Sequence, residues 1–470
     1  MEGYAMSFCE AAGMRHLNQI IEHMPLMMSV LDPGLKAVKD GEEVFLISHL
    51  SLWGASKQAW TLTKLAFQLL SYLGVGWKWS LAVFQMVIYV TLLLPGFIQM
   101  VFFYIFSPRL TKHILYGSGP RQQLDLYMPP NKSAAHPVVI FITGGAWTIG
   151  YKAWGALLAR RLSDQGVIVV CLDYRNFPQG TALQMLQDVN HGIAWVCRNI
   201  GDHCGDPDRV FIVGHSAGAH LGSLALFRQA ERAMLGDQVL GAEPGWSPTS
   251  VRGFIGISGA YDLSKLSEHL HRRGLYRNLF KQIMSIDGQT AYSQLSPLDV
   301  VKSWGRALLP HITLIHGMSD KSAPHECSQE LYDQLREDGV PCALRLIRNK
   351  GHTSFLIEDP MRGGRDILCD MLLQVIGAGH LDGCSGGSFC NSRLVGRPTT
   401  RSGGPGEIGS CDNFVPSTAS SFAMLPIGAM EGLTSRASSV HISVSAQSEY
   451  RYPTLCPAIL CSVASRVCPF

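Results

Sequence analysis

The segment Arg209-Val-Phe-Ile-Val-Gly-His-Ser-Ala-Gly-Ala-His220 joins two patterns of opposite period. Arg209–Val213 reads as an apolar strand, and an apolar helix is expected from Ala217 to about Ala230. Between them, Gly214-His215-Ser216-Ala217-Gly218 fits Gly-x-Ser-x-Gly, a very tight strand-to-helix turn that holds a serine hydroxyl exposed. Small residues two before and two after the serine let neighbouring backbone fit. A second match, Gly383-Cys384-Ser385-Gly386-Gly387, has no strand before it and no helix after it, so it carries nothing.

Outward from that turn, short apolar runs alternate with amphipathic stretches. Strands are expected at Leu124–Met128, Val138–Ile142, Val167–Leu172, Gly253–Ile257, Ile312–Ile315 and Ala343–Ile347. Helices are expected at Trp154–Gln165, Thr181–Asn199, Glu326–Glu337 and Met361 to about Gln374, with an irregular insertion over Leu263–Gly305. Near-continuous apolar strands alternating with helices imply an α/β fold, a mostly parallel doubly wound sheet covered on both faces.

A serine hydroxyl needs a base, and the base an orienting acid. Asp320 follows the strand Ile312–Ile315 and His352 follows Ala343–Ile347. Both therefore fall at the carboxyl edge where Ser216 emerges, the edge at which open α/β sheets place their sites. Asp262 and Asp299 precede the penultimate strand and read as capping or loop carboxylates; His311 precedes its strand, His325 opens a helix and His380 lies past the last one. Oxyanion donors are expected from Gly144, Gly145 and Ala146 in the glycine turn after Val138–Ile142, and from the N–H of Ala217. Trp147 and Trp154 fit either the mouth of the site or the core. No metal or nucleotide signal competes and no cofactor is implied.

Lysine and arginine total 39 against 36 acidic residues, a net charge of +3 that gives no reason for a nucleic-acid partner. Charged residues are only 16%, against roughly 25% in an ordinary soluble chain. Part of the excess lies in Trp79–Pro108, which carries no charge and is long enough to cross a bilayer. Pro95-Gly96 in its middle leaves one kinked helix or a two-piece hairpin open. A weaker apolar stretch, Trp60–Trp77, is interrupted by Lys64. Flanking Lys64 and Lys78 against Arg109, Lys112 and Arg121 lean the following domain toward the cytosol. The 13 cysteines form no regular framework and fit free thiols in a reducing compartment. Four zones result: an irregular segment 1–58, a membrane-associated zone 59–108, a catalytic domain 109–376 and a disordered Gly/Ser/Cys tail 377–470.

At Thr143-Gly-Gly-Ala-Trp-Thr-Ile-Gly150, Asp173-Tyr-Arg-Asn-Phe-Pro178 and Gly214-His-Ser-Ala-Gly-Ala-His220, the chain resembles the plant isoprenylcysteine α-carbonyl methylesterases. These are hormone-sensitive-lipase-like carboxylesterases of the α/β-hydrolase superfamily. The likeness covers about residues 60–370 and stops short of the tail. It implies Ser216, Asp320 and His352 as the triad and Gly144, Gly145, Ala146 and Ala217 as oxyanion donors. It also implies hydrolysis of the methyl ester of a C-terminal prenylated cysteine at endoplasmic reticulum and Golgi membranes, with membrane lipid as the other partner. A prenyl chain partitions into lipid at roughly 0.8 kcal/mol per buried CH₂, which favours an enzyme seated there. Leu266, Leu270, Leu275, Tyr276, Leu279, Phe280, Ile283 and Met284 of the insertion would form either an apolar lid over that chain or a cap that only packs. A general short-chain carboxylesterase or formamidase, and a ligand-binding relative without catalysis, remain the alternatives.

Overall fold

The computed structural model describes residues 77–131, 135–236, 239–273, 277–304, 309–381 and 451–469. The expected segments 1–58 and Trp60–Trp77 lie outside these residues apart from Trp77 itself, as does most of the tail, 382–450.

An eight-stranded sheet organises the chain, in the order β1-β2-β4-β3-β5-β6-β9-β10. The strands are β1 (Leu110–Leu115), β2 (Gln123–Tyr127), β3 (His136–Ile142), β4 (Ile168–Leu172), β5 (Gly205–His215), β6 (Gly253–Ile257), β9 (His311–Gly317) and β10 (Cys342–Ile347). The pairs β1–β2 and β2–β4 are antiparallel, and the other pairings are parallel. The short hairpin β7 (Ser285–Ile286) and β8 (Gln289–Thr290) stands apart. Every expected strand is present. The edge strand β1 was not expected, because Lys112 and His113 break its apolar pattern.

Burial explains why these runs became parallel strands. All five residues of β4 and of β6 are buried, as a strand covered on both faces requires. One face packs against α3 (Ala182–Asn199), α4 (Ala217–Leu235), α9 (Glu326–Glu337) and the insertion. The other packs against α1 (Trp77–Phe106), α2 (Ala156–Asp164), α10 (Asp359–Arg362), α11 (Ile367–Leu381) and α12 (Ala458–Val467). The insertion is more regular than its sequence suggests, folding into α5 (Leu263–Arg272), α6 (Arg277–Ile283), α7 (Tyr292–Leu295) and α8 (Pro297–Trp304). Asp262 caps α5 by accepting the Lys265 N–H at 3.0 Å, the role its position implied.

The structure decides one alternative that the sequence left open and departs from the sequence reading in the tail. Helix α1 is continuous through Pro95, and so takes the form of a single helix, not a hairpin. The tail is not structureless throughout. Residues 451–469 return to the domain, where Tyr452 pairs with Gly364 and the N–H groups of Leu455 and Cys456 both donate to the Met361 carbonyl at 2.9 Å. Tyr452, Leu455, Cys456, Cys461 and Ala464 are buried, with Arg161 over the Tyr452 ring at 4.0 Å. Composition hid this segment because its apolar face is short and follows a long Gly/Ser-rich stretch. Ending the chain at Tyr450 uncovers that surface. The expected loss is on the order of 3 kcal/mol, a Tm lower by roughly 3–6 °C, read by thermal denaturation of the full and shortened chains.

Candidate active site

The turn after β5 places Ser216 at φ 54°, ψ −117°, a left-handed conformation costing a non-glycine residue roughly 1–3 kcal/mol. Its neighbours show how the strain is held. A Cβ at Gly218 would lie 2.0 Å from the Ile142 carbonyl oxygen, and one at Gly214 would lie 2.5 Å from Ala219 Cα. Only hydrogen fits at either place, so β3, β5 and α4 close on the serine together.

His352 follows β10 and Asp320 follows β9, so adjacent parallel strands bring them to one edge. His352 Nε2 lies 2.8 Å from Ser216 Oγ, and its Nδ1 lies 2.7 Å from Asp320 Oδ2. The side chain of Asp320 is fully buried, which by itself would push its carboxyl up. The adjacent His352 ring and hydrogen bonds from His316 and His352 outweigh burial and hold that carboxyl well below the usual carboxylate range. Its other oxygen accepts the N–H groups of Ser322 at 2.8 Å and Ala323 at 3.0 Å.

His316 was missed by the sequence reading. It sits on β9, buried, with Nε2 at 3.2 Å from Asp320 Oδ2 and 3.0 Å from the Ala323 carbonyl, while Nδ1 meets Ser328 Oγ at 2.6 Å. With the Ser328 hydroxyl donating to Nδ1, Nε2 carries the proton and donates toward the carboxylate. The signal was faint: the expected strand ends at Ile315 and leaves His316 in the loop before Asp320, whereas β9 runs on to Gly317 and places His316 within it.

The glycine turn after β3 lies beside Ser216. A Cβ at Gly144 would come within 2.8 Å of His215 Nδ1 and 3.0 Å of Ser216 Cβ, so the turn abuts Ser216. Gly145, Ala146 and Trp147 all have positive φ (129°, 49° and 59°), an arrangement in which successive N–H groups can converge on an anion. Among the described residues, the N–H groups of Gly145, Ala146 and Ala217 have no recorded protein partner. The turn is braced from behind: Thr148 and Ile149 donate to the Gly145 carbonyl, Phe177 N–H donates to the Trp147 carbonyl at 2.8 Å, and Trp147 Nε1 donates to His220 Nδ1 at 3.2 Å. Trp147 is therefore core, set edge-on to Phe280, whereas Trp154 is 53% exposed. Leu266, Leu279, Phe280, Ile283 and Met284 are buried in the core, and Leu270 packs partly buried beside them. They pack as a cap. Leu275 and Tyr276 lie outside the described residues.

The sequence and the fold are each similar to those of known proteins. The BD-FAE family profile matches residues 124–335. An isoprenylcysteine alpha-carbonyl methylesterase of Arabidopsis thaliana is 43% identical over 343 residues, 72% of this chain and 79% of its own. A probable methylesterase of the same name, from the same plant, is 44% identical over 334 residues, 70% of this chain and 77% of its own. The chain belongs to the isoprenylcysteine alpha-carbonyl methylesterase family. Among solved structures, esterase B from Lactobacillus rhamnosis superposes with a TM-score of 0.51 at 20% identity, over 65% of this chain and 98% of its own, a likeness of fold.

Two further histidines of this family member are held neutral. His215 donates from Nε2 to the His352 carbonyl at 3.0 Å, and burial, then the neighbouring His352, brings its pKa down to about 3. His220 donates from Nε2 to the Leu295 carbonyl at 2.8 Å, and burial brings it down to about 4. Each binds fewer protons folded than unfolded below the ordinary value of about 6.5, so its contribution is complete above that pH and lost as pH falls through the folded value. Wild-type stability should fall between pH 6.5 and pH 4. The slope should be shallower in His220→Gln by about 1.4 kcal/mol per pH unit, measured by urea denaturation at stepped pH. Equal slopes would remove His220 from the account.

Proposed function

We propose that this chain is a serine esterase that removes the methyl group from C-terminal prenylated cysteine methyl esters. The observation that carries the reading is the hydrogen-bonded series from Ser216 through His352 to Asp320 at a strained turn beside free N–H groups, in a chain of this family. Ser216 Oγ attacks the ester carbonyl carbon while His352 Nε2 takes its proton. The carbonyl oxygen becomes negative and is met by the N–H groups of Gly145, Ala146 and Ala217. Collapse of the intermediate breaks the bond between the carbonyl carbon and the methoxy oxygen, and His352 gives its proton to that oxygen so that methanol leaves. Water, deprotonated by His352, then attacks the acyl-serine and releases the free carboxylate and the serine. Asp320 holds the imidazole and balances its charge; His316, fixed by Ser328, orients that carboxylate. Gly214, His215 and Gly218 shape the turn. The reading calls for no cofactor.

The single long apolar helix among the described residues supports membrane association, the resemblance extends it to the endoplasmic reticulum and Golgi, and the flanking basic residues lean the catalytic domain toward the cytosol. A general short-chain carboxylesterase is the second reading, favoured by the cap: Leu279, Phe280 and Met284, the side chains that would flank a prenyl chain, are already packed in the core.

Methanol release from farnesylcysteine methyl ester decides between them. The wild-type chain should prefer that ester to a simple acetate ester by at least tenfold in kcat/KM. Ser216→Ala should lose roughly 10⁴-fold or more of kcat while staying folded. Equal kcat/KM for the two esters would leave the short-chain reading; retained hydrolysis by Ser216→Ala would remove both.

A further inference from the structure

Helix α1 is 30 residues long, about 45 Å, with no charge from Trp79 to its end. It nevertheless does not stand clear of the domain. Tyr89, Leu93 and Met100 are buried against it. The Tyr89 hydroxyl donates to Glu358 Oε1 at 2.9 Å, the Gln99 amide to the Leu455 carbonyl at 2.6 Å, and the Tyr104 hydroxyl to Asp125 Oδ2 at 2.6 Å. From Tyr89 to Tyr104 is about 22 Å of helix, so the domain is bonded along most of the length that a spanning helix would need for lipid. Were α1 to cross a bilayer in this packing, Glu358, bonded to Tyr89, and the backbone at Leu455, bonded to Gln99, would be carried into hydrocarbon with the domain around them.

The outer face has a different character. Phe84, Val87, Leu94, Ile98, Phe102 and Phe106 are each 46–70% exposed and follow one another at helical spacing. Ile459 and Val463 of α12, which packs beside α1, are also exposed. The polar groups on this face are satisfied within the protein: the Thr91 hydroxyl donates to the Val87 carbonyl at 2.8 Å, and the Gln99 amide also reaches the Pro95 carbonyl. Hydrocarbon demands such internal pairing and water does not. A protein partner would be expected to find a polar rim and hydrogen-bonding groups, which this charge-free strip does not offer.

We infer that α1 lies in the plane of one leaflet, its outer face sunk among the acyl chains and its inner face bolted to the catalytic domain, so that the chain is seated on the membrane by α1 without α1 crossing it. The inference rests on the membrane-bound reading above and specifies its geometry. It also gives the membrane a place beside the chemistry. Thr353, next to His352, shares Glu358 Oε1 with Tyr89 of α1, so the loop carrying the base is held against the helix that meets the lipid.

The test uses the full chain on vesicles of phosphatidylcholine and phosphatidylserine, with an environment-sensitive fluorescent amino acid introduced singly at Val87, Leu94 and Phe102. Depth is read by quenching with lipids brominated at different acyl positions. The three labels should report one shallow depth, within a few ångströms of each other. Depths staggered by about 1.5 Å per residue, some 22 Å from 87 to 102, would show a span and overturn the inference. Absence of lipid quenching, with sedimentation showing a dimer, would assign the face to a second copy and overturn it equally. In a companion variant, Val87→Lys/Leu94→Lys/Phe102→Lys should float with vesicles at least tenfold less while hydrolysing a soluble acetate ester at the wild-type rate; undiminished flotation contradicts the inference. Hydrolysis of the prenylated ester, measured on the same preparations, reports separately on the substrate reading.

Discussion

Ser216 can sit in a left-handed conformation only because nothing larger than hydrogen occupies positions 214 and 218. The close approach of Gly218 to the Ile142 carbonyl means that β3, β5 and α4 must pack in one way for the turn to exist at all. The glycine turn following β3 is then brought against Ser216 by the same contact. Ser216 and the N–H groups of the glycine turn are thus parts of a single packing solution, and the strain at Ser216 is offset by the parallel pairing of β5 with β3 and β6 on either side.

Electrostatics completes what packing begins. A fully buried carboxylate is costly unless its lone pairs are met. Asp320 meets that condition with two N–H groups on one oxygen and two imidazoles on the other. His215 and His220 are kept uncharged by burial and used as neutral donors to backbone carbonyls, whereas the His352 ring lies within hydrogen-bond distance of both Ser216 Oγ and Asp320 Oδ2. The chain thus places several histidines near one site in different environments, and environment divides the work among them.

The fold was legible because a covered parallel sheet writes itself as uninterrupted apolar runs, as β4 and β6 do. The juxtaposition of Ser216, His352 and Asp320 was legible because chain order, strand ends and the glycine-flanked serine agree on one edge. What escaped depends on contacts far apart in sequence. His316 gains meaning only when Asp320 folds back over the end of its own strand. Residues 451–469 look like the end of a disordered tail until Met361, Gly364 and α1 supply their partners. Edge strand β1, with Lys112 and His113 in its middle, lacks the apolar pattern that burial on two faces imposes. For α1, hydropathy reported the outer face correctly and was silent on Tyr89, Gln99 and Tyr104, the residues that tie it to the domain.

The central claim is that Ser216 is activated by His352 within this packed turn. Peptide mass spectrometry of the full chain after brief exposure to a fluorophosphonate tests it most directly, because the reagent bonds to a serine whose proton is being withdrawn. A single adduct on the peptide carrying Ser216, formed at least 100-fold more slowly in His352→Gln, is the expected result. An adduct on another serine, or equal labelling rates in the two proteins, would contradict it.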